Sequence, residues 1–275
     1  MRAEGWRKVA SATWRGPLDP QIYGDLELDA SELLAFIEDA RAATGVHLTV
    51  THLVGRAVAH ALGENPDLNV RKRGGRFEPR ETVAVFFVVA VDGGRDLSGV
   101  KVKDADRKSA VEIAQELSER AARIRSAEDA DYGRSTKLLA RTPTPVLRPA
   151  LKLVTWLTSD VGLDLRRFGL RSYPFGSALV TSVGMLGVQH AYAPLSPFYR
   201  VSFLALVSEV TEKPVVRDGE IVARPMLTVS VTMDHRYLDG AHAARLARSA
   251  RAYLDDPRAH EPPLPRLPLE AASDA

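Results

Sequence analysis

The sequence predicts an α/β fold in which a sheet packs against helices. Three observations lead there. Apolar runs with strand-like alternation recur from Tyr23 to Asp234. Between and after them lie amphipathic segments with apolar residues about 3.6 positions apart. With 275 residues and 45% apolar content, the chain can bury a substantial core, as one large domain or two small ones.

In chain order, Tyr23 to Asp29 alternates apolar and polar side chains and reads as a half-buried strand. Asp29 or Ser31 caps a helix carrying Leu33, Leu34 and Ile37. His47 to Leu62 begins with alternation and continues as an Ala-rich helix, which Asn65-Pro66 ends. The stretch Arg71-Lys-Arg-Gly-Gly-Arg76 is a basic turn, either a solvated hairpin or an attractor for an anion. Thr82 to Val91 is almost wholly apolar and fits a central strand; the more polar 95–101 follows a Gly-Gly turn. From Ser109, the stripe Val111, Ile113, Leu117, Ala121 and Ile124 predicts a helix.

The interval 131–174 is basic and punctuated by prolines. Pro149 is expected at a helix start, with Leu151, Val154, Leu157 and Val161 forming an apolar stripe. It is read as an active-site lid, an oligomer contact or a membrane-surface helix. Phe175–Gly184 and Val201–Val210 are buried strands, and Arg217-Asp-Gly-Glu220 turns a hairpin. The strand from Leu227 runs into His235. After Gly240, Leu246, Ala250, Tyr253 and Leu254 mark a final helix. The expected layout is one domain over 1–260, an insertion at 131–174 and a Pro-rich tail over 261–275.

Lys+Arg 37 against Asp+Glu 35 is nearly balanced, which gives no sign of a nucleic-acid partner. No apolar run reaches the roughly 18 residues of a spanning helix, and no secretory signal opens the chain. Neither a transmembrane segment nor a secretory route is expected, and cytoplasmic location is the default. Cysteine is absent, so any thiol in the chemistry comes from a substrate. His47, His52 and His60 lack metal-site spacing, and no metal is expected.

The chemistry gathers at His235-Arg-Tyr-Leu-Asp-Gly240, a polar elbow between strand and helix. This stretch resembles the His-x-x-x-Asp-Gly signature of the dihydrolipoamide acyltransferase (E2) catalytic domain of 2-oxoacid dehydrogenases, a family related to chloramphenicol acetyltransferase. Three further stretches are similar: Thr181–Gly187 to a Ser-Asn-Leu-Gly-Met-Phe-Gly segment, 213–227 to the approach to the signature, and 103–109 to another family stretch. The similarity covers most of 6–130 and 175–255 and lapses over 131–174. A second arginine is missing at Thr13, and Gln21 stands where the family has histidine.

The resemblance implies a layered chloramphenicol-acetyltransferase-like sandwich with a mixed sheet, assembled as a homotrimer or a multiple of it, with active sites between subunits. It implies that His235 is the general base for acyl transfer between coenzyme A and dihydrolipoamide or another thiol or small acceptor. Thr181 stands where the family holds the oxyanion with a serine, and Ser182 is the fallback donor. Asp239 orders the elbow, through Arg7 or Arg236. Arg76 and Arg95 are the candidate contacts for the cofactor, coenzyme A or its acyl form. Lipoyl and subunit-binding domains do not fit before residue 6, so a lipoyl-carrying protein is expected to act in trans. A catalytically silent scaffold is the alternative.

Overall fold

Alternation and amphipathicity resolve into nine strands and a set of helices among the residues that the computed structural model describes, 20–91, 96–125, 144–165, 173–195 and 200–265. Strand β1 (Gln21–Asp29) leads into α1 (Ser31–Thr44). Neither Asp29 nor Ser31 is the N-cap, which is Ala30; the Asp29 carboxylate instead accepts from the Ser31 amide (3.0 Å) and hydroxyl (2.6 Å) at the helix entrance. Helix α2 (Val50–Glu64) starts at Thr49 with no strand before it. The hairpin β2 (Val70–Arg73) and β3 (Arg76–Pro79) forms a separate small sheet.

Then come β4 (Val85–Val91), β5 (Asp96–Val102) and α3 (Ala110–Arg125). Pairing with β4 makes the polar 96–102 stretch a strand, which its composition did not announce. Helix α4 (Thr144–Thr155) continues into a π-helical turn, Trp156–Val161. Pro149 lies inside α4 rather than at its start. The helix begins a turn earlier, and the missing Pro149 N–H costs it one internal bond. Thr158 and Ser159 are buried, whereas Val161 and Trp156 are exposed, so the apolar stripe is only partly covered.

Strands β6 (Ala178–Ser182), β7 (Phe203–Val207), β8 (Thr211–Arg217) and β9 (Glu220–Asp234), then α5 (Gly240–Asp255) and α6 (Pro257–His260), complete the described chain. The large sheet has the order β1-β9-β7-β6-β4-β5, with β8 pairing to the outer part of β9. It is mixed: β6 runs parallel to β4 and β7, and the other pairs are antiparallel.

Helices α1, α2, α3 and α5 cover one face. Leu33, Phe36, Leu53, Ile113 and Tyr253 meet Val85, Phe87, Val180 and Val229 there in one apolar cluster. Burying a Leu, Ile or Phe side chain in this way contributes about 1.5–3 kcal/mol. Gly55 lets α2 settle onto the sheet: a Cβ there would lie 2.2 Å from the Phe87 ring. The opposite face is covered more thinly, by Leu179, Leu204 and Leu206 with Phe86, Phe175 and the 191–195 segment.

The chain remains tied to this core past residue 260. Glu261 is buried, accepts from the Ala110 amide (2.7 Å) and the Tyr253 hydroxyl (2.8 Å), and meets Arg56 at 3.2 Å. No helix among the described residues is long and apolar enough to cross a membrane. The expected basic helix near Trp6, Arg7, Arg95 and all of 126–143 lie outside the described residues.

Candidate functional site

Strand β9 delivers His235 to solvent at the point where the sheet ends. The His235 amide donates to the Pro20 carbonyl at the start of β1 (2.8 Å), and its side chain is exposed. The turn is built by Asp234, a residue that sequence reasoning passed over. Its buried carboxylate accepts from the Arg236 amide (2.9 Å) and is gripped by the Arg236 guanidinium at 2.6–3.1 Å. Its carbonyl accepts from Tyr237 and Leu238, and Leu238 plugs into the core. An Asp followed two positions later by Arg at a strand end was the available signal.

Asp239 does not meet Arg236, which Asp234 holds. It is the N-cap of α5, accepting from the His242 amide (2.9 Å), while His242 Nδ1 accepts from the Asp239 amide (3.3 Å). That amide bond, with lesser help from nearby His242 and His235, holds the Asp239 carboxyl below its ordinary pKa. Asp239 therefore anchors the helix that follows the elbow.

Thr181 lies on β6, half-buried, opposite Leu206 of β7, which in turn faces Ser230 of β9 and then Asp25 of β1. Ser230 precedes His235 by five residues on β9, about 17 Å of extended chain, and two strand spacings add about 10 Å sideways. One chain thus keeps Thr181 and His235 at different ends of the sheet. Side-chain alternation puts Thr181 with Leu179 on the thinly covered face. Ser182 turns to the helical side, where it lines a cleft of about 300 Å³ with Arg41, Thr49 and Glu209. Thr181 and Ser182 are therefore not interchangeable donors.

In the Thr181 row, Asp25 accepts from the Tyr192 hydroxyl (2.6 Å) and pairs with His190 Nε2 (3.0 Å). Burial raises its pKa, and these bonds more than offset that, leaving it below the ordinary value. Gln21, the departure from histidine, accepts from the Leu195 amide (2.7 Å) and ties the 191–195 segment to the His235 end of β1.

Arg76 is exposed at the start of β3, while two neighbours are committed elsewhere. Arg71 pairs with Glu78 (3.2 Å), and Arg73 donates to the carbonyls of Asp160 (3.4 Å) and Val161 (3.2 Å). Next to Arg76, Phe77 packs edge-on against Tyr237 with centroids 5.3 Å apart, so the hairpin borders the His235 turn. No group of three metal-ligating side chains occurs among the described residues, and His52 Nδ1 is occupied by the Thr49 amide at 3.1 Å. A second cavity of about 240 Å³ between the sheet and α2 and α5 is lined mainly by apolar residues such as Val54, Phe203, Met233 and Leu246.

A family model described as 2-oxoacid dehydrogenases acyltransferase (catalytic domain) matches residues 18–131 and 171–260, leaving α4 and the π turn between the matched stretches. The chain is 28% identical over 235 residues to the dihydrolipoyllysine-residue acetyltransferase component of the pyruvate dehydrogenase complex of Bacillus subtilis, covering 84% of this chain and 44% of the relative. It is 26% identical over 261 residues to the corresponding component of that organism's acetoin cleaving system, covering 93% and 55%. The chain spans about half the length of these curated relatives.

Among solved structures, the cubic core of the pyruvate dehydrogenase multienzyme complex superposes with a TM-score of 0.64 at 25% identity, covering 88% of this chain and 84% of that one. A dihydrolipoamide acetyltransferase of Azotobacter vinelandii, investigated for the roles of a serine, a histidine and an asparagine in its catalytic mechanism, gives 0.65 at 25% identity, with the same coverage.

Proposed function

The chain belongs to the 2-oxoacid dehydrogenase acyltransferase (catalytic domain) family, and from that premise we propose that it moves an acyl group between coenzyme A and dihydrolipoamide or another thiol, with His235 as general base. The observation that carries this reading is the exposed imidazole at a turn fixed by the buried Asp234 carboxylate and the Arg236 side chain that grips it. His235 takes the proton of the acceptor thiol, and the thiolate attacks the thioester carbonyl. The resulting oxyanion is held by the Thr181 hydroxyl. Collapse expels the second thiolate, which recovers the proton from the imidazolium. With no cysteine in the 275 residues, the acyl group passes directly between substrate thiols.

Because one chain separates Thr181 from His235, we place the reacting centre between subunits of a homotrimer or a multiple of it. Met185 and Leu186, just past Thr181, are 83% and 72% exposed, which supports a surface covered on assembly. Asp239 acts as a positioning residue through α5, Arg76 is the proposed contact for the phosphates of coenzyme A, and a lipoyl-carrying protein is the proposed partner.

The test is to incubate the protein with acetyl-, propionyl-, isobutyryl- and succinyl-coenzyme A plus dihydrolipoamide, and to follow acyl-lipoamide by mass spectrometry. His235→Ala is expected to lose roughly 100- to 10,000-fold in rate with the oligomer intact. Thr181→Val is expected to raise the barrier by about two to four kcal/mol, while Thr181→Ser retains much of the rate. Wild-type protein that transfers nothing and binds neither thiol would instead be a scaffold.

A further inference from the structure

The segment Thr144–Val161 ends in an unusually well-bonded foot. The Asp160 carboxylate accepts from both terminal guanidinium nitrogens of Arg200, at 2.9 and 2.5 Å, and from the Gly74 amide at 3.0 Å. The two charged side chains are only 16% and 21% exposed. Arg73 reaches back from the hairpin to the carbonyls of Asp160 and Val161. The buried Tyr173 hydroxyl lies within hydrogen-bonding reach of two carbonyls, Ser159 on the segment (2.9 Å) and Lys72 on the hairpin (3.0 Å). Gly162 is required at the exit: its φ is +84°, and a Cβ would stand 2.2 Å from Arg73. Arg200 and Tyr173 both hold left-handed backbone, with φ of 51° and 47°. Non-glycine residues keep that conformation only where surrounding contacts over-determine it.

The hairpin fastened in this way touches the His235 turn through Phe77, which pairs across the hairpin with Lys72. Phe77 meets Tyr237, whose amide donates to the Asp234 carbonyl (2.9 Å). Arg200 reaches the same turn by a second route, since the Ser202 carbonyl, two residues on, accepts from the Asp234 amide (2.9 Å). A contiguous set of bonded side chains and backbone therefore joins the inserted segment to the residue before His235.

We propose that Asp160 is a specificity-determining residue: by latching the inserted segment to Arg200 and the β2–β3 hairpin, it fixes the Phe77–Tyr237 wall that limits which acyl group or thiol reaches His235. The proposal rests on the acyl-transfer reading above. Asp160 touches no reacting atom and acts through the hairpin.

The test pairs hydrogen exchange of residues 70–79 with kinetics on the acetyl-, propionyl- and isobutyryl-coenzyme A series. Asp160→Asn keeps an acceptor for Gly74 and removes the ionic grip, so amide exchange in the hairpin should rise about tenfold. The ratio of kcat/KM for the smallest and largest donors should shift by about tenfold, mainly through KM, with kcat for the acetyl donor within about twofold. Asp160→Glu should recover part of both effects. Phe77→Ala, at a site 48% exposed, leaves the ion pair in place and should shift the donor ratio the same way.

Unchanged hairpin exchange in Asp160→Asn would overturn the latch. Faster exchange with an unchanged donor ratio in both variants would overturn the wall. Wild-type protein with no transfer activity would remove the acyl-transfer reading and the wall with it, and the exchange result, obtained without substrate, separates that failure from failure of the latch.

Discussion

His52 illustrates how a residue's packing decides its chemistry. Burial, with smaller contributions from the charges of His47 and Arg41, lowers its pKa from 6.5 to about 4. Its Nδ1 meanwhile accepts the Thr49 amide and closes a capping box at the start of α2. The folded state therefore holds a neutral ring that the unfolded chain would protonate near pH 6.5. Its stabilisation is complete above pH 6.5 and is lost progressively as pH falls from 6.5 towards 4. His52→Gln, which keeps an acceptor but cannot charge, is expected to flatten that part of the stability curve in denaturant titrations at several pH values; an unaltered slope would assign the acid sensitivity elsewhere. Sequence spacing had only argued against a metal box here. It could not reveal the cap, because Thr49 preceding His52 by three resembles many surface pairs. For the same reason Arg236 was offered to Asp239: it lies two residues from Asp234 and three from Asp239, and only the strand's burial of Asp234 settles where it pairs.

At the scale of elements, legibility followed periodicity. The α3 and α5 stripes and the apolar β4, β6 and β7 runs were readable because burial on one or both faces selects side chains at fixed spacing. Strand β5 was not, since a partner with an apolar run, rather than its own composition, supplies its pairing. Helix α4 was placed too late because Pro149 was read as a starting signal although the helix tolerates it internally. The interval 141–171 still stands apart: none of its described residues joins either buried apolar cluster. Replacing it with a short Gly/Ser loop is expected to preserve the sheet and helices by circular dichroism. Melting temperature should fall, because Arg200 loses a charged hydrogen-bond partner of the kind contributing about 1.5–3 kcal/mol. Complete unfolding would show that the segment is integral to the domain.

For the whole molecule, the described residues form a sheet with helices on one face and a thinner cover on the other, and that second face is the side proposed for association. On the homotrimer proposed above, a closed symmetric assembly, sedimentation at several concentrations is expected to give about three chains or a multiple; a stable monomer would contradict the intersubunit site. With the centre between subunits, as proposed, the separation of Thr181 and His235 along β6, β7 and β9 would make inheritance of activity statistical. Each centre would draw its hydroxyl from one parent chain and its imidazole from another. If Thr181→Val and His235→Ala chains are unfolded, mixed equally and reassembled, roughly one centre in four should inherit an intact copy of each group from two chains that are individually crippled. Were both groups contributed by the same chain, no centre in the mixture would be whole.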